Sequence, residues 1–335
     1  STMGWPEKTD LLKQFYPTSV LVTGYDIIFF WVARMLIMGM EFMKDIPFDK
    51  VFIHGLVRDS QGRKMSKSLG NGIDPLEVID KYGADALRLT LMTGNAPGND
   101  MRFYWERVEN SRNFASKVWN ASRFIMMNME QALEKTGKNI TTPAAADLQP
   151  VDKWILSKLN TLVKDVTDNM DHFELGIAVQ KVYDFIWDEF CDWYIEMVKP
   201  RLWNDEDSTK AAALWTLKTV LINSLKLLHP YMPFITEEIF CNLQDEEASI
   251  MVSAWPEYKA EWNFEQEEYA VETIKEAVRA IRNVRTSMNV APSKKAKVYV
   301  VSENQKLLQI FEHSKVFFAT LGYASEVFLQ KDKQG

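Results

Sequence analysis

Two short runs of β-branched and apolar residues flank a long apolar stretch near the beginning of the chain. Residues 19–23 have the length and composition of a buried strand, residues 51–54 predict a second strand, and residues 26–43 between them are long enough for a helix. A strand, a helix and a second strand predict a right-handed parallel crossover. Ligands of parallel sheets bind at the carboxyl ends of the strands, so the pattern predicts a ligand site beside Gly24 and His54.

The apolar stretch also has the length of a membrane span, but its charges argue against insertion. Arg34 lies near the middle of residues 25–43, where an arginine costs about 3 kcal/mol on insertion. We therefore predict a helix buried inside an α/β domain. The N-terminus shows no signal-peptide pattern, and we expect a cytoplasmic protein.

From Trp105 onward, the apolar positions follow a helical period for most of the chain. Large aromatic residues recur on the apolar faces, which favours a helical bundle with an aromatic core. A shorter segment near the C-terminus returns to a mixed pattern of helix and strand. The predicted helices are 105–134, 150–169, 174–199, 208–227, 231–243, 265–288 and 304–321, and the predicted late strands are 298–301 and 325–329.

These patterns predict a multidomain fold that is α/β at first and then mostly α. Residues 1–100 are expected to belong to a Rossmann-like nucleotide-binding domain, residues 101–262 to a helical bundle and residues 263–335 to a small α/β tail module. One crossover is too little sheet for a complete nucleotide-binding domain. We therefore expect the first segment to be the C-terminal half of such a domain.

Composition and charge narrow the possible function classes. The 335 residues are 47% hydrophobic, which excludes a disordered chain. The two cysteines and four histidines show no metal-ligand spacing, so no metal site is expected. The net charge is −7, yet residues 272–297 carry seven Lys or Arg against two Glu, and residues 102–123 carry five against two. Such basic tracks suit a polyanionic partner even in an acidic protein.

The most informative stretch is a basic, glycine-flanked loop over residues 54–71. Lys64 and Lys67 lie in this loop together with two arginines, against a single acid, Asp59. Ammonium groups neutralise phosphate charge, and hydroxyl and backbone N–H groups donate hydrogen bonds to phosphate oxygens. The loop therefore predicts a polyphosphate site next to the strand ends, with a solvated basic loop as the alternative.

The residues in and around this loop resemble the second signature of class I aminoacyl-tRNA synthetases, and the wider match is to the valyl branch of that family. The resemblance covers essentially the whole chain and is densest over residues 1–125. Residues 82–88 are similar to the helix that those enzymes place after the signature. The matching residues are His54-Gly55, Lys64-Met65-Ser66-Lys67-Ser68, Gly70-Asn71, Asp74-Pro75, the Val-Thr-Gly-Tyr-Asp-Ile segment and Trp31.

The resemblance implies an enzyme that uses ATP, accompanied by Mg²⁺, to join valine to tRNA(Val). Lys67 and, second, Lys64 are the implied catalytic residues, because they would neutralise charge on the leaving pyrophosphate. Asp26 would meet the valine ammonium or a ribose hydroxyl. Ile27 and Trp31 would form part of a small apolar pocket, with core packing as the alternative. The other implied nucleotide contacts are Gly24, His54, Gly55, Met65, Ser66 and Ser68.

The helical domain is implied to bind the anticodon and neighbouring phosphates. Phe124 would stack on an unstacked base, with core packing as the alternative. Three arginines of the tail helix are three residues apart and so share one face, for which a solvated face is the alternative. The implied tRNA contacts are Arg102, Arg107, Arg112, Arg123, Phe124, Arg279, Arg282 and Arg285.

The first signature of the family, His-Ile-Gly-His, does not occur in this sequence. The resemblance implies that this signature and an editing domain lie upstream of Ser1, and that a coiled-coil arm follows residue 335. The chain is therefore expected to be inactive alone, and we separately expect it to be a monomer. The alternatives are a non-catalytic tRNA-binding module and an isoleucyl relative, although the apolar run at residues 27–30 favours valine.

Overall fold

The computed structural model describes residues 2–94, 96–244 and 246–332. The chain divides into two compact units. The first comprises Ser1–Ala115 with Val166–Gln180, and the second comprises Ser116–Asp165 with Lys181–Gly335. The tail module and most of the helical bundle thus share one unit, whereas the sequence predicts a boundary near residue 262.

The first unit contains a two-stranded parallel sheet whose strands lie where the sequence predicts them, although most of their residues are not buried as a buried strand would require. Helix α1 (Asp10–Phe15) precedes it. Strands β1 (Thr18–Gly24) and β2 (Phe48–His54) pair in parallel, and Gly24 lies opposite His54 at the end of the pairing. The two carboxyl ends therefore meet at one edge, as the sequence predicts.

The segment between these strands is helical but departs from the prediction. It consists, in order, of a 3-10 turn (Tyr25–Ile27), a π-helical turn (Ile28–Val32), α2 (Ala33–Met38) and a second π-helical turn (Gly39–Met43). The prediction of a buried helix is wrong, because Phe29 is 90% exposed and Phe30 is 61% exposed. Two strands are only about 10 Å wide and cover one side of a helix. The other apolar sides of the segment therefore remain uncovered.

Beyond β2, the first unit contains a second parallel pair and two short helices. Strand β3 (Val57–Arg58) pairs with β4 (Met101–Arg102). Helix α3 (Pro75–Tyr82) begins after Asp74, whose carboxylate accepts a hydrogen bond from the Leu76 N–H. Helix α4 (Ala84–Met92) follows directly. A hydrophobic cluster holds this region together and consists of Val78, Ala86, Leu87, Phe103 and Val108.

The predicted helical bundle is confirmed. Its helices are α5 (Trp105–Thr136), α6 (Pro150–Asp171), α7 (Leu175–Asp184), α8 (Ile195–Trp203), α9 (Lys210–Leu228) and α10 (Pro233–Leu243). A π-helical segment, Phe185–Tyr194, joins α7 to α8 and interrupts what the sequence predicts as one regular helix. Trp154, Phe190 and Tyr194 are among the fully buried side chains of the second unit, as expected for an aromatic core.

Helix α9 is long and apolar enough to cross a membrane by length and composition alone. In its most apolar 18-residue window, 61% of the residues are buried in the protein. Core helices of bundles share this composition.

The tail module combines helices with a third parallel pair. Helix α11 (Glu265–Ser287) leads to β5 (Ala296–Val301), which pairs in parallel with β6 (Ala324–Gln330). The sequence predicts one helix over residues 304–321, but the structure has two, α12 (Gln305–His313) and α13 (Lys315–Thr320). The break falls at Ser314, whose ψ of 13° departs from the helical value.

Candidate functional site

Glycine occupies the end of β1 at Gly24, and Gly55 directly follows the end of β2 at His54. A Cβ on Gly24 would lie 2.8 Å from the Asp26 carboxylate, and a Cβ on Gly55 would lie 1.8 Å from the Asn99 carbonyl oxygen. Backbone segments therefore approach one another closely at this edge. The exposed ring of His54 lies beside them and contacts the Gly55 carbonyl oxygen, 2.7 Å away.

Asp100 connects the strand ends to the basic loop, although no pattern in the sequence indicates it. Its carboxylate accepts hydrogen bonds from the Leu56 N–H at 2.7 Å, from the Tyr25 hydroxyl at 3.1 Å and from Arg58 Nε. The Leu56 N–H and the Arg58 guanidinium hold the pKa of Asp100 below its usual range. Asp100 is thus an ionised anchor that fixes β3 at the entrance to the loop.

Asp59 organises the first half of the loop. It is only 7% exposed, and its carboxylate accepts hydrogen bonds from the Asn71 amide at 2.9 Å, the Arg63 Nε at 2.7 Å and the backbone N–H groups of Gln61 and Arg63. The Asn71 amide and the Arg63 donors hold the pKa of Asp59 well below its usual range. Gly62, with a φ of +81°, completes the tight turn that these bonds enclose.

Asn71 closes the second half of the loop onto the first. Its side-chain amide donates to the Asp59 carboxylate and, at 3.3 Å, to the Lys64 carbonyl oxygen, while its amide oxygen accepts the Ser66 N–H at 2.9 Å. The Ser66 hydroxyl lies 3.1 Å from that of Ser68 and accepts the Leu69 N–H, as a helix cap would. We call residues 59–71 the clasped loop.

The two predicted catalytic lysines lie on the clasped loop in different surroundings. The Lys64 ammonium is 3.2 Å from the Asp26 carboxylate, so the structure brings together two of the predicted site residues. The side chain of Lys67 is exposed, and no partner for its ammonium occurs among the described residues. A cation held in water without a counterion is available to an incoming phosphate.

The remaining predicted site residues of the first unit are only partly assembled. Met65 packs against the hydrophobic cluster beneath the loop, which gives it a structural contact that the sequence did not indicate. Ile27 and Trp31 are 38% and 56% exposed, so the alternative of core packing does not describe them within the described structure. The carboxylates of Asp26, Asp59 and Asp100 each have a hydrogen-bond or ion-pair partner. No group of three or more potential metal ligands occurs among the described residues.

The predicted tRNA contacts on α5 and near it differ in their availability. Arg102 lies beside the clasped loop, with its guanidinium near Gly62, and Arg107 donates to the Thr93 carbonyl oxygen at 2.7 Å. Arg112 and Arg123 are exposed. Phe124 is half-buried, and the Lys199 ammonium lies 5.8 Å from its ring centre.

The predicted arginine face on α11 requires correction. Arg279 is exposed, but both Arg279 and Arg282 lie 5.3 Å from the ring of the buried Trp193. Arg282 also donates to the Leu321 carbonyl oxygen, and Arg285 is only 8% exposed. The three arginines therefore pass from surface to interior and do not form one solvated row. Helical spacing predicted the shared face correctly but not what packs on it.

Two family models and several curated proteins match this chain in sequence. The model of the family "tRNA synthetases class I (I, L, M and V)" matches residues 1–104, and that of the "anticodon-binding domain of tRNA ligase" matches residues 152–300. The chain is 57% identical over 334 residues to a valine–tRNA ligase of Clostridium tetani and 55% identical over 335 residues to one of Clostridium acetobutylicum. These matches cover 100% and 99% of the chain but only 37% of each relative.

Solved structures with a similar fold include two tRNA synthetases. A LeuRS of Agrobacterium radiobacter K84, in a ternary complex with tRNA and LeuAMS, has a TM-score of 0.61 over 77% of this chain and 31% of its own. A methionyl-tRNA synthetase of Mycobacterium tuberculosis, in complex with methionyl-adenylate, has a TM-score of 0.60 over 71% of this chain and 46% of its own. Both are 20% identical to this chain, which establishes similarity of fold alone.

Proposed function

Because this chain belongs to the valine–tRNA ligase family of class I tRNA synthetases, we propose that it supplies the phosphate-binding loop and the tRNA-binding helices of an enzyme that charges tRNA(Val) with valine. The clasped loop carries this proposal, since its backbone is fixed while its Lys67 ammonium is unpartnered among the described residues. We propose that the enzyme is a cytoplasmic monomer.

The proposed reaction has two group-transfer steps. A carboxylate oxygen of valine attacks the α-phosphorus of ATP, the bond to the β-phosphate oxygen breaks, and pyrophosphate leaves. A ribose hydroxyl of the terminal adenosine of tRNA then attacks the acyl carbon of the adenylate, loses its proton, and AMP leaves. Both steps need positioning and charge neutralisation but no protein nucleophile.

The residues of the clasped loop fit the first of these steps. Lys67 is proposed to neutralise the charge that develops on the leaving pyrophosphate. Lys64 would exchange the Asp26 carboxylate for a phosphate oxygen, which would free Asp26 to accept the ammonium group of valine. Ile27 follows Asp26 directly and Trp31 lies in the π-helical turn that comes next, so both would then be near the isopropyl group.

Mg²⁺ is proposed to enter with ATP and to be held chiefly by its phosphates. The carboxylates of Asp26, Asp59 and Asp100 already have cationic or amide partners in the described structure. Mg²⁺ bound through substrate phosphates and waters needs few protein ligands. The chemistry that the ion supplies is neutralisation of phosphate charge.

The test is ATP–pyrophosphate exchange in a ligase of full family length that carries this segment. We expect Lys67→Ala to lower kcat by about 10²–10³-fold, as removal of one transition-state donor does elsewhere, with little change in the KM for valine. Lys13→Ala, which removes an exposed lysine of α1, is the matched control and should leave the exchange rate unchanged.

Two results would contradict the proposal. An unchanged exchange rate in Lys67→Ala would remove this lysine from the mechanism. Exchange that depends on isoleucine rather than valine would assign the segment to a different amino acid.

A further inference from the structure

The segment between α11 and β5 presents two lysines on a short, fixed turn. The Lys294 N–H donates to the Ala291 carbonyl oxygen at 3.0 Å, which closes a four-residue turn. Lys294 and Lys295 are both exposed, and neither has an acidic partner within 4.0 Å among the described residues. We call residues 291–295 the lysine turn.

A buried arginine, Arg285, is hydrogen-bonded to the backbone of this turn. The side chain of Arg285 lies at the end of α11, and its guanidinium donates to the carbonyl oxygens of Ala291, at 2.9 Å, and of Lys294. The ring of Tyr323 lies 5.5 Å from the same guanidinium. Two bonds from one planar group to two carbonyls of one turn fix both ends of the turn at once.

The arrangement concentrates positive charge at one place in an acidic protein. No carboxylate lies within 4.0 Å of the Arg285 guanidinium in the described part of the chain, although the residue is only 8% exposed. Its charge therefore adds to those of the two lysines above it. The neighbouring Lys297 pairs with Glu326 at 3.3 Å, so it contributes little.

We propose that the lysine turn is a phosphate-contacting surface for tRNA and that Arg285 is the positioning residue that fixes it. The proposal rests on the proposed function, since it assumes that the chain binds tRNA. The turn lies within residues 152–300, which match the anticodon-binding family model. An RNA backbone suits the turn better than an acidic protein does, because closely spaced phosphates can engage two adjacent lysines.

The experiment measures tRNA binding to this chain across a salt series. Each phosphate contact that is lost should reduce the slope of log K against log salt by about 0.7–0.9. We expect Lys294→Ala/Lys295→Ala to reduce the slope by about 1.4–1.8 and to weaken binding by roughly 10–100-fold at 0.1 M salt. Lys306→Ala/Lys331→Ala removes the same charge elsewhere in the tail module and should leave both quantities nearly unchanged.

Arg285 is tested by substitution and by conservative rescue. Arg285→Met should weaken tRNA binding while changing the slope by less than 0.7, because the guanidinium contacts backbone and not phosphate. Arg285→Lys retains a donor for the two carbonyls and should recover part of the affinity. If Arg285→Met proves unfolded, the salt series on Lys294→Ala/Lys295→Ala still tests the proposal by itself.

Failure of this inference is distinguishable from failure of the proposed function. Absence of tRNA binding to the unmodified chain at low salt would overturn the tRNA-binding part of the proposed function. Binding of tRNA with the same slope in the lysine-turn variant and in the control would overturn only the inference. Displacement of tRNA by polyglutamate at equal charge concentration would also overturn it, in favour of an acidic protein partner.

Discussion

Asn71 determines the conformation of the clasped loop, although it carries no charge. Its side chain makes three hydrogen bonds, to Asp59, Lys64 and Ser66, and thereby joins both ends of the loop to its middle. Lys64 is itself held through its carbonyl oxygen, and Lys67 lies between the attachment at Ser66 and Asn71. The lysines therefore extend from a fixed backbone, which lowers the entropy lost when they bind phosphate.

We predict that Asn71→Ala loosens the loop without unfolding the protein. The substitution removes two neutral hydrogen bonds, worth about 1 kcal/mol each, and one to a carboxylate, worth somewhat more, so exchange of the backbone amides of residues 59–71 should accelerate by on the order of 100-fold. In a ligase of full family length, the KM for ATP should rise. Amide hydrogen exchange measures the first effect, and ATP–pyrophosphate exchange kinetics measure the KM for ATP. Asn110→Ala, at an exposed position of α5, is the control, and equal exchange rates in both variants would contradict the prediction.

At the scale of elements, a buried ion pair joins three helices of the bundle. The Asp152 carboxylate of α6 is fully buried and accepts two bonds from Arg201 of α8, at 2.7 and 3.0 Å, and one from the Tyr194 hydroxyl. Arg201 also donates to the carbonyl oxygen of Thr209, just before α9. Every charged atom of the pair is hydrogen-bonded, which offsets the cost of desolvation.

We predict that Arg201→Met destabilises the bundle by about 3–5 kcal/mol, because it leaves a buried carboxylate without its counterion. The double variant Asp152→Asn/Arg201→Met removes both charges and should recover much of that loss. The urea midpoint of unfolding, followed by circular dichroism, measures both effects. If the single variant lost no more stability than the double variant, Arg201 would not be the counterion that Asp152 requires.

The sequence predicts helices and strands well, but not contacts between distant residues. Helical and strand periods located the bundle and the parallel crossover, and a recognisable motif singled out Lys64 and Lys67, whose role stays a prediction. Asp100 bonds to Arg58, 42 residues away, and to Tyr25, 75 residues away, and no local pattern indicates either contact. The burial of Arg285 and the break at Ser314 also depend on tertiary packing, which periodicity does not report.

At the scale of the whole molecule, the two compact units differ in how completely they bury apolar residues. In the second unit, Trp154 and Phe190 are fully buried. In the first unit, Phe29, Phe30 and Ile37 are 90%, 61% and 67% exposed on the segment between β1 and β2. Burial of apolar area is the main stabilising contribution to folding, so the first unit has less to oppose its conformational entropy.

We therefore predict that the first unit of this chain opens before the second. Backbone amides of β1 and β2 should exchange at least about 100-fold faster than those of α9, a difference of roughly 2.7 kcal/mol in opening free energy. The exposed segment should bind a hydrophobic dye, and Phe30→Ser/Ile37→Ser should reduce the dye signal without lowering stability, because both side chains are already in water. Met251→Ser/Val252→Ser changes two exposed apolar residues of the second unit and is the matched control. Equal protection of the β1 and α9 amides would show that the chain unfolds as one cooperative unit, contrary to this prediction.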